Sequence, residues 1–199
     1  MINGKVQQTF SLEALRDGDR VEFARLVEEY SPMIYRLGLK MLNNPQDAED
    51  ILQETFIKAY KHIGKFDGRS SVSTWLYRIA TNEALMSLRK KRPDTVSFDV
   101  PSIFETETQE PLQIVDWCCL PEEEFLSAES RMRLDEAAER LPDSLRVVFV
   151  LRDIEGLSTR ETAEVLDISE MAVKTRLSRA RLRLREDLST YFGKLVEKG

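Results

Sequence analysis

The sequence predicts an all-α fold: two small helical domains joined by an acidic, mostly irregular linker. Three observations carry this prediction. Apolar residues recur at helical rather than alternating spacing along most of the chain. Only 8 glycines and 7 prolines punctuate 199 residues, too few for a fold built from many turns. Helical periodicity disappears from Pro93 to Pro121, a Ser/Thr/Glu-rich stretch without a single Lys or Arg that Pro101 and Pro111 interrupt. The domain boundaries that follow are an N-terminal segment at 1–18, a first domain at 19–92, the linker at 93–121 and a second domain at 122–199.

The first domain reads as a four-helix bundle. A helix from Asp19 to Tyr30 draws its apolar residues from Val21, Phe23, Ala24, Leu26 and Val27, and Ser31-Pro32 is expected to restart the chain into a second helix through Met41. Asn44-Pro45 supplies an N-cap and first turn for a third helix, about Pro45 to His62. That helix gathers Ala48, Ile51, Leu52, Thr55, Phe56 and Ala59 on one stripe. Gly64 and Gly68 mark a loop, and a fourth helix runs from Ser73 to Lys90. In the second domain, helices are expected over Glu122 to Arg140, Asp143 to Ile154, Ser158 to Leu166, and from Ser169 to the region of Asp187, with a break at Leu141-Pro142. Only a short segment precedes the first helix, so no large N-terminal inhibitory domain is expected.

Charge and composition exclude several classes. The 42% hydrophobic content argues against a disordered chain. The longest unbroken aliphatic and aromatic run, Val147 to Leu151, is far short of the roughly 20 residues that span a bilayer, and Met1 to Phe10 has no signal-peptide core. A cytoplasmic protein without membrane insertion is expected. The only cysteines, Cys118 and Cys119, are adjacent, which fits neither a CxxC motif nor a zinc knuckle and leaves free thiols as the plain reading. His62 is the only histidine, so one chain cannot build a histidine metal cage, and neither metal nor cofactor is expected. The net charge of -6 suggests no general attraction to nucleic acid, but the acid is concentrated in the middle.

Three segments carry candidate chemistry. Ser158 to Arg185 has helix-turn-helix spacing: Ser158 and Glu161 form a capping box, Ile168 plugs the turn, and Ser169 caps the second helix. On that second helix Val173, Leu177, Ala180 and Leu184 share a buried stripe. Lys174, Ser178, Arg181 and Arg185 lie on one flank and Arg176, Arg179 and Arg183 on the other, with no acid between Lys174 and Arg185. A generic solvated helix would mix signs, whereas a helix entering a DNA groove needs local basicity. Phe66 to Arg92 interleaves Phe66, Trp75 and Tyr77 with Lys65, Arg69 and Arg78 and ends in Arg89-Lys90-Lys91-Arg92, a pattern suited to unstacked bases or, equally, to core aromatics above a dipole-complementing last turn. In Asp47 to Ile57, first-turn acids follow from the helix dipole. Ile57 among Asp50, Gln53 and Glu54 makes either a small docking surface or an incidental exposed residue.

The strings Asp47-Ala48-Glu49-Asp50, Gln53-Glu54-Thr55-Phe56, Phe66, Thr74 to Ala80 and Asn82 resemble region 2 of bacterial extracytoplasmic-function (ECF, group IV) sigma factors. Leu141-Pro142, Val147 to Leu151, Glu155-Gly156-Leu157-Ser158, Glu161-Thr162-Ala163 and Val173 to Arg181 resemble region 4 of the same family. Together they cover roughly three-quarters of the chain in the family's order. The resemblance implies that region 2 docks on the clamp coiled coil of the β′ subunit of core RNA polymerase through Asp50, Gln53, Glu54 and Ile57. It implies that Phe66, Arg69, Ser70, Trp75, Tyr77, Arg78 and Asn82 hold the melted minus-ten strand. Region 4 would sit by the β flap and read the minus-thirty-five duplex with Lys174, Thr175, Arg176, Ser178, Arg179 and Arg181. The acidic linker would thread toward the polymerase cleft, or else serve merely as a disordered, solubilising connection, and an anti-sigma factor would control the protein from outside, holding it near the membrane in some cases. Promoter DNA is then the ligand.

Two other classes compete. A stand-alone helix-turn-helix regulator predicts a dimer and a palindromic site. An enzyme would need scattered carboxylates to act as acid and base, and no spacing singles out a pair.

Overall fold

The computed structural model describes residues 10–91 and 128–196. The linker at 93–121, Cys118, Cys119 and the expected start of a helix at Glu122 lie outside the described residues. All regular structure among those described is helical: α1 Leu12–Arg16, α2 Arg20–Leu42, α3 Pro45–His62, a 3-10 turn Ile63–Lys65, α4 Val72–Lys91, α5 Ala128–Glu139, α6 Asp143–Phe149, a π-helical turn Val150–Ile154, α7 Thr159–Leu166 and α8 Glu170–Val196.

The helix ends follow their caps. Asp19 accepts from the amides of Val21 and Glu22, and Asn44 from those of Gln46 and Asp47 with Pro45 at the first turn. Asn43 closes α2 in the left-handed region at φ 49°, where its N–H still reaches the Leu39 carbonyl.

The expected break at Ser31-Pro32 is absent: α2 runs through it. Pro32 is exposed, so the carbonyl it leaves unpaired, that of exposed Glu28, can bond water. Leu26 precedes the proline and Ile34, Leu37 and Met41 follow it, all fully buried. At about 1.5 to 3 kcal/mol each, their burial outweighs the roughly 3 kcal/mol of an internal proline. A second difference lies in the N-terminal segment, where α1 forms between a Ser11 cap and Asp17, and Phe10 and Leu15 join the core of the first bundle.

Gly38 permits a close approach of two helices. A Cβ there would stand 3.1 Å from the Ala48 Cα and 3.4 Å from its carbonyl, so α2 and α3 touch backbone to backbone. In the second unit, the stretch from Leu145 to Leu151 is buried all round, and α6 separates two apolar clusters. Leu145 and Phe149 face Ala137, Leu141, Ala180 and Leu184. Val147, Val148, Val150 and Leu151 belong to the cluster that continues into the first bundle. The helical domains are therefore packed together, with α7 against α4 and the π-helical turn against α2.

Gly38→Val is expected to lower stability by about 1 to 3 kcal/mol, because the backbone of Ala48 cannot step aside, although valine is the better helix former. A urea midpoint at or above that of the parent would contradict this close approach.

Candidate nucleic-acid interface

The helix-turn-helix forms as its sequence dictates. Ser158 Oγ accepts from the Glu161 amide at 3.1 Å while Glu161 Oε2 accepts from the Ser158 amide at 2.8 Å, completing the capping box. These bonds hold the Glu161 carboxyl below its usual range. Its stabilising effect is thus complete above the ordinary carboxylate pKa and fades as pH falls through the lowered value. Asp167 makes the turn at φ 55°, Ile168 packs on the core beneath it, and Ser169 Oγ accepts from the Ala172 amide at 3.1 Å.

On α8, Val173, Leu177, Ala180 and Leu184 are buried as the spacing predicts. Lys174, Thr175, Arg179, Arg183 and Arg185 are exposed, and Arg176 and Ser178 are half-buried. Burial holds the Arg176 guanidinium below its usual pKa. Thr175 Oγ1 donates to the Met171 carbonyl at 3.0 Å, so its hydroxyl hydrogen is already engaged. Arg181 is forked onto Asp153, with Nε and Nη2 at 2.9 and 2.7 Å from the two carboxylate oxygens. That pairing holds its pKa above the usual value and leaves the Nη1 edge for any further ligand.

The candidate strand-binding residues divide. Arg69, Arg78 and Asn82 are exposed and Ser70 is half-buried. Phe66 and Tyr77 are core residues at 6% and 4% exposure, and half-buried Trp75 packs at a tilt of 45° against Phe66 with ring centroids 5.2 Å apart. The bland reading of these aromatics as core thus holds for Phe66 and Tyr77 in this conformation, while Trp75 keeps an accessible part. Asp67 accepts from the backbone and the guanidinium of Arg69, and Ser71 Oγ caps the Thr74 amide at 3.0 Å. Arg16 on α1 was no part of the sequence reading, yet its Nε donates to the Phe66 carbonyl at 3.0 Å and its carbonyl and Nη2 line Gly64 and Gly68. The loop is braced by the N-terminal helix. The φ of +77° at Gly68 explains the glycine there.

On α3, Asp50, Gln53, Glu54 and Ile57 are all exposed, and their spacing puts them on one face, with Ile57 46% accessible. Between the two units, Glu155 from the end of the π-helical turn reaches Arg36 and Tyr77, Lys40 reaches Asp135, and Arg146 Nη1 donates to the Met41 carbonyl at 3.0 Å. No isolated motif marked these residues as partners. No group of His, Cys, Asp and Glu among the described residues could hold a metal ion, and no described helix is long and apolar enough to cross a membrane.

Residues 26–93 match Sigma-70 region 2, and residues 131–184 match Sigma-70, region 4. The chain is 41% identical over 177 residues to the ECF RNA polymerase sigma factor SigW of Bacillus subtilis, covering 89% of this chain and 94% of that protein. The chain belongs to the ECF RNA polymerase sigma factors. RNA polymerase sigma-H factor of Pseudomonas aeruginosa is 34% identical over 174 residues, covering 85% of this chain and 88% of that protein. Two solved structures share the fold: CnrH in complex with the cytosolic domain of CnrY, at TM-score 0.64 and 22% identity over 90% of this chain and 95% of that one, and RpoE of Bartonella quintana in complex with the anti-sigma factor NepR, at 0.60 and 23% over 84% and 96%. As an alternative sigma factor the protein directs transcription initiation, and its helix-turn-helix is a DNA-binding element.

Arg16→Ala should speed amide exchange across residues 63–71 by about tenfold, the value of one charge-assisted hydrogen bond, with little change in α3 and α4. Exchange that accelerates equally across the bundle would make Arg16 a global stabiliser instead.

Proposed function

We propose that this sigma factor gives core RNA polymerase its promoter specificity by reading a minus-thirty-five element as duplex and capturing the melted minus-ten strand, without catalysing a bond change itself. The observation that carries the reading is the acid-free cationic face of α8, mounted behind a capped helix-turn-helix, in a chain that also holds a separate bundle with exposed Arg69, Arg78 and Asn82. Lys174 and Arg179 reach base edges or phosphates, and Arg176 and Ser178 support them from the flanks. Thr175 keeps its oxygen as an acceptor toward the groove. Arg181, tied to Asp153, contacts a phosphate through its remaining edge rather than a base through its fork. In region 2, Trp75 with Arg69, Ser70, Arg78 and Asn82 receives the strand, while Phe66 and Tyr77 shape the pocket from below.

Asp50, Gln53, Glu54 and Ile57 form the docking face for the β′ clamp coiled coil, an apolar centre ringed by polar groups. Region 4 sits by the β flap, and the linker at 93–121 spans the two sites. We count α1 with region 2, since Phe10 and Leu15 join the core of the first bundle. An anti-sigma factor controls the protein, as the complexes solved for its fold relatives suggest. The protein works in the cytoplasm, where such a partner could hold it near the membrane.

Run-off transcription with purified core polymerase on a library of promoter fragments tests the reading. Starts that depend on the protein and share a bipartite motif support it. Tight, polymerase-independent binding to a palindrome would favour a stand-alone regulator. Asp50→Arg should abolish co-elution with core polymerase and leave the melting temperature in place; normal co-elution removes Asp50 from the docking face. Arg179→Ala should cost about 1 to 3 kcal/mol on the preferred minus-thirty-five element and relax its sequence preference, whereas Arg181→Ala should weaken all duplexes alike. Equal behaviour of the two variants would erase the distinction drawn between them.

A further inference from the structure

Arg36 and Lys40 lie one turn apart on α2, and Tyr77 on α4 shares the Glu155 carboxylate with Arg36. Arg36 Nε and Nη2 donate to the two oxygens of Glu155 at 2.7 and 2.5 Å, and the Tyr77 hydroxyl donates to Oε2 at 2.7 Å. Lys40 Nζ donates to Asp135 at 2.5 Å. The Glu155 side chain is wholly enclosed, whereas that of Arg36 is 50% exposed. A guanidinium fork with a converging hydroxyl is a geometry that suits phosphate as well as carboxylate. Burial, with the Glu155 carboxylate beside it, pushes the Tyr77 hydroxyl well above its usual pKa in this arrangement; a tyrosine hydroxyl is a donor at neutral pH even without that shift.

We propose that Arg36, Lys40 and Tyr77 form a phosphate site for the backbone of single-stranded DNA, and that region 4 fills it in the closed protein with its own Glu155 and Asp135. The proposal rests on the strand-capturing reading and adds Arg36 and Lys40 to it, with a phosphate-donor role for the Tyr77 hydroxyl. Three observations support it. Tyr77 immediately precedes Arg78 on α4, and Arg78 and Asn82, one helical turn apart, carry exposed polar side chains on that same helix, so the helix that supplies the hydroxyl also supplies strand-facing candidates. Both groups that fill it are carboxylates, although they come from different elements, α5 and the end of the π-helical turn. Helix α7, which follows Glu155 after a short connection, packs on α4, so the same unit that supplies Glu155 also covers α4. Closed, the cluster holds two cations and two carboxylates. Open, it presents two cations and a hydroxyl donor to the strand.

The test uses the full chain, a labelled random-sequence single-stranded DNA 12-mer and anisotropy across a salt series. Glu155→Gln should bind the oligonucleotide about tenfold more tightly than the parent, because the internal competitor is weakened. The double variant Arg36→Gln with Glu155→Gln should lose that gain, with a log–log salt slope shallower by about 0.7, the signature of one lost phosphate contact on a single strand. Asp135→Asn, at a more exposed pair, gives a second and smaller gain should Glu155→Gln fail to fold. An unchanged affinity in the variant that folds overturns the proposal. So does an equal gain in Arg36→Gln alone, which would make the contact a simple tie between the units. A polyglutamate 12-mer that binds Glu155→Gln more tightly than the DNA does would reassign the site to an acidic protein partner. None of these readouts involves polymerase, so core-dependent transcription separately decides the underlying function.

Discussion

From Leu145 to Leu151, helix α6 and the start of the turn after it have no face left for water, and most of the architecture answers to that constraint. These seven residues lie between two apolar clusters, so each neighbour must meet a buried surface. Arg146 sits in the middle of this run at 3% exposure. A guanidinium so placed would be prohibitively costly without partners, and it has them: Nε donates to the Ala138 carbonyl, Nη1 to Met41, and Nη2 to Glu139 and Leu141. These carbonyls belong to the C-terminal ends of α2 and α5 and the turn after α5, where the helix dipole favours a cation and the backbone has run out of intrahelical donors. One side chain thus closes two helix ends and joins region 2 to region 4.

The π-helical turn that follows extends the same logic. Its wider winding, with the Glu155 amide bonded to the Val150 carbonyl at 2.9 Å, accompanies the full burial of both Val150 and Leu151. It delivers Asp153 to Arg181 on one side and Glu155 to Arg36 and Tyr77 on the other. Two carboxylates two residues apart therefore serve different units. The enclosed Glu155 needs its three donors for the same reason that Arg146 needs its carbonyls, since a buried charge is tolerated only when fully engaged.

Local rules were legible in the sequence wherever a short string decides the outcome. The Ser158–Glu161 capping box, the Asn44-Pro45 start, the Leu141-Pro142 break and the stripe Val173, Leu177, Ala180 and Leu184 all follow from spacing within one or two turns. Pro32 was misread because the rule that proline ends a helix is local, while the burial of Ile34, Leu37 and Met41 that overrides it is tertiary. Helix α1 was missed because five residues carry no periodicity, and its stability comes from Leu15 and from Arg16 against a loop fifty residues away. Phe66 and Tyr77 show the limit for candidate sites: aromatics beside cations have one sequence pattern whether they face a base or a core. Glu155 was quoted as part of a motif, but nothing in a lone glutamate before a glycine foretells a partner on another domain.

Charge segregation explains how a chain of net charge -6 can carry a nucleic-acid surface. At physiological ionic strength exposed charges are screened beyond about 8 Å, so a helix face answers to its own turn and the next rather than to the whole molecule. On α8 the cations from Lys174 to Arg185 have no acid among them, and the neutralising carboxylate of Asp153 engages only Arg181. On α2 the opposite holds: Arg36 and Lys40 meet Glu155 and Asp135 from region 4. The first surface is cationic in any arrangement of the two units. The second becomes cationic only when they part, which makes region 4 a determinant of the charge that region 2 presents.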